Sequence, residues 1–112
     1  MYISPINSRQ NISSKARLSL LSGRNLLPQG AVQKLIEKAK TVGESGDVIR
    51  AVVQKNNTSG QTVINAAFLR FPSGRLTHHI VTTVKGSFQE KQRQAFNIIN
   101  NYIDYLKNNY EV

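Results

Sequence analysis

The sequence predicts an α+β domain: a three-stranded antiparallel meander with two helices packed on one face, in the order α-β-β-β-α, behind a flexible N-terminal arm. Three observations carry this expectation. Apolar residues recur at helical spacing in two segments, one after Pro28 and one after Ser87. Between them lie three stretches dense in β-branched residues and separated by turn signals. The length, 112 residues, suits one core with ragged ends.

Residues 1–27 read as a basic arm rich in Ser and Asn, and residues 28–112 as the single domain. The opening MYISPINSRQNISS has no period and contains Pro5. Ser14 to Leu21 suggests a short helix ending at Gly23, too brief to be stable without packing. The first full helix follows Pro28, a residue favoured in a first turn, and aligns Val32, Leu35, Ile36, Ala39 and Val42 up to a stop at Gly43. Lys34, Glu37, Lys38 and Lys40 fall on its opposite face.

Strands are expected at Val48 to Lys55, Thr62 to Phe71 and about Leu76 to Lys85, with turns at Asn56 to Gly60 and at Pro72-Ser73-Gly74-Arg75. On the last strand, strict alternation assigns Leu76, His78, Ile80, Thr82 and Val84 to the core, and Arg75, Thr77, His79, Val81, Thr83 and Lys85 to the other face. On the middle strand Val63, Ala67, Leu69 and Phe71 oppose Ile64, Ala66, Phe68 and Arg70. Either choice leaves an apolar patch on the uncovered face, the kind of surface that takes a partner or a second copy. Ser87 and Glu90 form a capping-box signature opening the last helix, on which Ala95, Ile99, Tyr102, Ile103 and Leu106 repeat at three and four.

Fifteen Lys and Arg against six Asp and Glu give a formal net charge of +9. Such a field attracts polyanions: nucleic acid, an anionic membrane face or an acidic protein. Without cysteine the chain has no disulfide framework, thiol nucleophile or thiolate metal site. No stretch approaches the roughly 20 apolar residues of a membrane span, and no apolar run follows the first basic residues as a cleavable signal requires. The cytoplasm is therefore favoured. The Ser-rich, Arg-bearing leader also resembles organellar transit peptides and the leaders of type III secretion effectors, which keeps import or secretion open.

His78 and His79, the two histidines, are strand neighbours that point to opposite faces and so do not share a metal ion or form an acid/base pair. The carboxylates are scattered, no phosphate-binding glycine loop is present, and no metal or cofactor is expected. An enzyme reading would rest on His79 with arginines, as in a metal-independent nuclease; a catalytic centre is not expected. Binding carries more weight. Lys34 and Lys38 lie one turn apart, Arg70, Arg75 and Lys85 surround the second hairpin, and Lys91 and Arg93 open the last helix. These seven are the expected nucleic-acid-binding residues, acting on RNA or DNA phosphates.

The order and size of the elements over Pro28 to Lys107 resemble the double-stranded RNA-binding domain, and also small mRNA-cleaving toxins of the same topology. In the RNA-binding family a Ser followed by lysines opens the last helix and grips phosphates. The matching stretch here is Gly86-Ser87-Phe88-Gln89-Glu90-Lys91-Gln92-Arg93, so the resemblance implies that role for Lys91 and Arg93. Phe88 and Gln89 replace the family's paired lysines, Thr58-Ser59-Gly60-Gln61 replaces its Gly-Pro-x-His loop, and Thr62 to Phe68 has no histidine to match the toxins. The resemblance is one of topology, which does not fix function. The competing expectation is a protein-interaction module, in one form a bacterial secreted effector, that uses the exposed sheet face and the N-terminal leader, with an acidic partner met by its basic surface or a second copy by the open sheet face.

Overall fold

In the computed structural model, which describes residues 15–21, 26–55 and 59–110, two helices cover one face of a four-stranded mixed sheet. The strands are β1 (Arg17–Leu21), β2 (Val48–Lys55), β3 (Thr62–Arg70) and β4 (Arg75–Val84), adjacent in that order. The helices are α1 (Gln29–Ala39), between β1 and β2, and α2 (Phe88–Asn109), after β4. The α+β class, the three expected strands β2, β3 and β4, the two helices and the turn at Pro72 to Arg75 agree with the sequence reading, while most of the expected turn at Asn56 to Gly60 lies outside the described residues.

The sheet differs from the expected three-stranded antiparallel meander by one strand. Arg17–Leu21, expected as helix within the N-terminal arm, is a strand that pairs parallel to β2, with Leu18 opposite Ile49 and Leu20 opposite Ala51. Its alternation explains this: Leu18 and Leu20 are buried while Arg17 and Leu21 are exposed. The strand is anchored at its start, where the amides of Lys15, Ala16 and Arg17 donate to the carbonyls of Lys40, Val42 and Asp47 at 3.0, 2.9 and 2.9 Å. Residues 1–14, the rest of the expected arm, lie outside the described residues.

The core is the layer between helices and sheet. Leu35 and Ala39 of α1, Ile49 and Ala51 of β2, Ile64 and Phe68 of β3, and Ile99, Ile103 and Leu106 of α2 are buried there. Burial of each large side chain contributes about 1.5–3 kcal/mol. Lys38 Nζ reaches Asp104 Oδ1 at 2.7 Å and Asn100 Oδ1 at 2.7 Å, while Lys34 lies beside Arg93 and Phe96. Later residues of α1 thus meet later residues of α2, so the helices run parallel and begin at the same end of the molecule.

α1 leaves the core through a turn at Gly43, whose φ of +71° suits glycine and whose Cβ position would lie 2.7 Å from Asp47 Oδ2 and 2.9 Å from the Phe68 ring. Asp47 is fully buried and holds this end of the fold together. Its carboxylate accepts from the amides of Glu44 and Phe71, both at 2.7 Å, and lies 3.7 Å from Arg70 Nε.

A β-bulge changes the expected alternation on β4. Ala66 pairs with Ile80 but Phe68 pairs with Thr77, so Ala67 opposes both His78 and His79. His78 takes the extra position with φ +53° and keeps its ring on the helix side, 5.7 Å from the Tyr105 ring and 6.3 Å from that of Phe68. Ile80, Thr82 and Val84 face the helices as expected. Before the bulge the parity reverses: Leu76 stands opposite Leu69 on the open face and is 52% exposed, while Thr77 stands opposite Phe68 on the helix side. The Tyr102 hydroxyl donates to the His78 carbonyl at 2.7 Å and ties the bulge to α2.

Candidate nucleic-acid interface

The end where both helices begin also holds the end of β2, the start of β3 and the end of β4. Lys55 of β2 pairs with Thr62 of β3, which pairs with Val84, the last residue of β4, so Lys55 stands beside Thr62 and Lys85 follows directly after β4 at the same end. Lys91 reaches across from α2 and donates from Nζ to Thr62 Oγ1 at 3.2 Å. Lys85 is fixed through its backbone: its amide donates to Gln94 Oε1 at 3.2 Å, and its carbonyl accepts from Gln94 Nε2 at 2.7 Å.

Two grooves flank the first turns of α2. One, of about 540 Å³, runs between the helices and is walled by Pro28, Ala31 and Phe96, with Lys34 and Arg93 on its rim. The other, of about 250 Å³, lies toward the sheet, where Leu26, Val53 and Phe88 meet Lys55 and Lys91. Five cations, Lys34, Lys55, Lys85, Lys91 and Arg93, thus share this end.

Among the described residues the carboxylate here is Glu90, and it is engaged. The capping box is formed as the sequence predicts: Ser87 N donates to Glu90 Oε1 at 2.8 Å and Glu90 N donates to Ser87 Oγ at 3.2 Å. The hydrogen bonds with the Ser87 backbone and then its hydroxyl hold the Glu90 carboxyl below the ordinary glutamate range, outweighing the opposing effect of desolvation, with a last and smallest contribution from the Arg93 charge. Glu90 therefore fixes the start of α2 and offsets part of the local positive charge.

Of the seven residues expected from the sequence, Lys34, Lys85, Lys91 and Arg93 meet at this end. Lys38 is committed to Asp104 and Asn100 in the helix interface. Arg70 is committed to the far end: besides Asp47 it donates from Nη1 to the Tyr110 carbonyl at 2.8 Å and stacks over the Phe68 and Tyr110 rings. Arg75 sits opposite Arg70 at that same far end. Lys55 escaped the sequence reading because it closes a strand; its place beside a turn, at the tip of the same hairpin as Thr62, was the available signal.

The histidines do not join the cations. His78 contacts Thr77 Oγ1 at 2.9 Å and the core rings, while His79 lies on the open face with Nε2 3.3 Å from Asn65 Oδ1. Tyr102, whose hydroxyl pKa is raised above the usual tyrosine value by burial and then by Tyr105, is a neutral donor tied to the bulge.

Among the described residues nothing covers the face of the sheet turned away from the helices. Register places Arg17, Val48, Leu69 and Leu76 in one row, and Leu21, Val52, Asn65 and Val81 in another, with Ser19, Arg50 and Ala67 between them. Leu76 and Val81 are 52% and 59% exposed. Among the described residues no helix is long and apolar enough to cross a membrane. No family model matches the chain, and a comparison with curated proteins found no match.

Proposed function

We propose that this chain is a small non-catalytic binding protein that holds nucleic-acid phosphates at the end where both helices begin. The observation that carries the reading is the sharing of that end by Lys34, Lys55, Lys85, Lys91 and Arg93, with, among the described residues, one carboxylate that is already used as a helix cap. Phosphate contacts of this kind release counterions, which gives affinity without base-specific readout. The mixed sheet serves the site by bringing two strand ends and two helix starts together.

The test separates location from total charge. Binding of a labelled single-stranded RNA is measured by fluorescence anisotropy for Lys34→Ala/Arg93→Ala and for Arg75→Ala/Lys107→Ala, which removes equal charge at the other end. The first pair is expected to weaken binding by about tenfold or more at moderate salt, and the second by no more than about threefold. Equal losses would mean that net charge alone attracts the strand.

A second reading rests on the open sheet face. Its apolar residues lie beside Arg17 and Arg50 on neighbouring strands, and neither arginine has an ion-pair partner among the described residues. A second copy packed face to face would bring these cations together, so the face suits an acidic, amphipathic protein segment better. A labelled peptide of alternating Leu and Glu should bind, and should be lost both with Arg17→Glu/Arg50→Glu and with Leu76→Asp/Val81→Asp. Binding that survives the second pair rejects this surface.

A further inference from the structure

Resting on the reading of the basic end as a phosphate site, we propose that its ligand is an unpaired strand whose bases stack on Phe88 and Phe96. Each groove beside α2 combines one aromatic ring with two cations: Phe88 with Lys55 and Lys91, Phe96 with Lys34 and Arg93. This is the arrangement that single-stranded nucleic acid requires, a ring face for each base and a positive charge for the adjoining phosphate. Duplex bases are already stacked and offer only their backbone.

The rings are placed for that use. Phe88 is the first residue of α2 and is 58% exposed, which leaves its ring accessible to a base. Phe96 is half-buried two turns further along, and its wall of the larger groove continues through Ala31 and Pro28. At Gly30 a side chain would meet nothing within 4 Å, so the groove mouth is open. Gln89 and Gln92 line the same groove and carry amides able to meet base edges without selecting one base. A strand crossing the first turns of α2 would place one base in each groove and its phosphates among the five cations. The open sheet face lacks this combination: among the described residues of β1 to β4 it carries arginines, aliphatic side chains and His79, but no Phe, Tyr or Trp ring.

The chain has no tryptophan, so Phe88→Trp installs a single selective reporter at an exposed position that tolerates exchange. The full-length variant is titrated with a single-stranded DNA of about twelve nucleotides, the duplex of the same sequence, and an abasic strand of equal length, following tryptophan fluorescence and anisotropy together. The single strand is expected to quench tryptophan, and the abasic strand to bind through its phosphates without quenching. Phe88→Ala should weaken the single strand by about tenfold while leaving the abasic strand unchanged, and Phe96→Leu should repeat the effect without emptying the groove. Equal affinity for single strand and duplex, or indifference to Phe88→Ala, overturns the stacking proposal while leaving the phosphate site standing. No binding of any probe at low salt overturns both.

Discussion

Replacing Asp47 with alanine tests how the far end of the fold is held. The carboxylate is fully buried and accepts two backbone hydrogen bonds at 2.7 Å, from Glu44 in the turn after α1 and from Phe71 at the end of β3. It also faces Arg70, whose Nε is buried with no hydrogen-bond partner and lies 3.7 Å from Asp47 Oδ2. Removing the carboxylate leaves two amides without acceptors, each costing about 1–3 kcal/mol, and a half-buried guanidinium without its counter-charge. The two amides alone amount to about 2–6 kcal/mol, and breaking a buried charge pair typically costs about 3–5 kcal/mol, so a loss of at least about 3 kcal/mol is expected, a large share of the roughly 5–15 kcal/mol of a typical domain. Urea unfolding followed by circular dichroism gives the number, with a midpoint shift at unchanged slope marking a pure stability change. A loss under about 1 kcal/mol would refute the claim that this carboxylate joins the α1 turn to the end of β3.

Tyr102→Phe removes the hydroxyl that donates to the His78 carbonyl and should cost about 1–2 kcal/mol in the same assay, with amide exchange in β4 accelerated around the bulge. Gly43→Ala should destabilise more than an ordinary turn substitution, because a methyl there meets Asp47 and Phe68 and the backbone is left-handed; an unchanged thermal midpoint would contradict that geometry. The folded-state pKa of Glu90 is depressed, so its contribution is present above the ordinary glutamate value of 4.5 and is lost as pH falls through the lowered folded value. The thermal midpoints of the parent and of Glu90→Gln should therefore differ at neutral pH and converge as pH falls below that value. Leu76→Asp/Val81→Asp, at exposed positions on the face turned away from the helices, should leave the urea midpoint within about 0.5 kcal/mol of the parent.

Much of the fold was legible because local signals agreed with tertiary packing. The capping box of Ser87 and Glu90, the stripe from Ala95 to Leu106 and the β-branched run of β2 each point to the element observed. β1 was not legible: five residues with two buried leucines fit a helical turn as well as a strand, and their choice is made by the parallel edge of β2. The parity of β4 failed for a similar reason. Nothing local in His78-His79 announces a bulge whose carbonyl is held by a tyrosine on a distant helix.

For the candidate site, the sequence identified most of the cations but not their grouping. Lys38 and Lys34 look equivalent on one helix face, yet four residues of α1 separate a side chain consumed by Asp104 from one that stands on a groove. Arg70 looks available until Asp47 and Tyr110 are placed around it. The larger groove depends on two parallel helices and the smaller one on α2 against the sheet, relations that no local pattern encodes, which is why in the linear chain Phe96 shows no role and Phe88 only a departure from the RNA-binding motif.

The most direct measurement is the salt dependence of single-strand binding, taken as the slope of log K against log salt. With five phosphate contacts the slope should be about −3.5, a loss of about a hundredfold between 50 and 200 mM salt. Lys34→Ala/Arg93→Ala should reduce it to about −2, while Arg75→Ala/Lys107→Ala leaves it unchanged. A slope that drops equally for both pairs would contradict the assignment of binding to the end where the two helices begin.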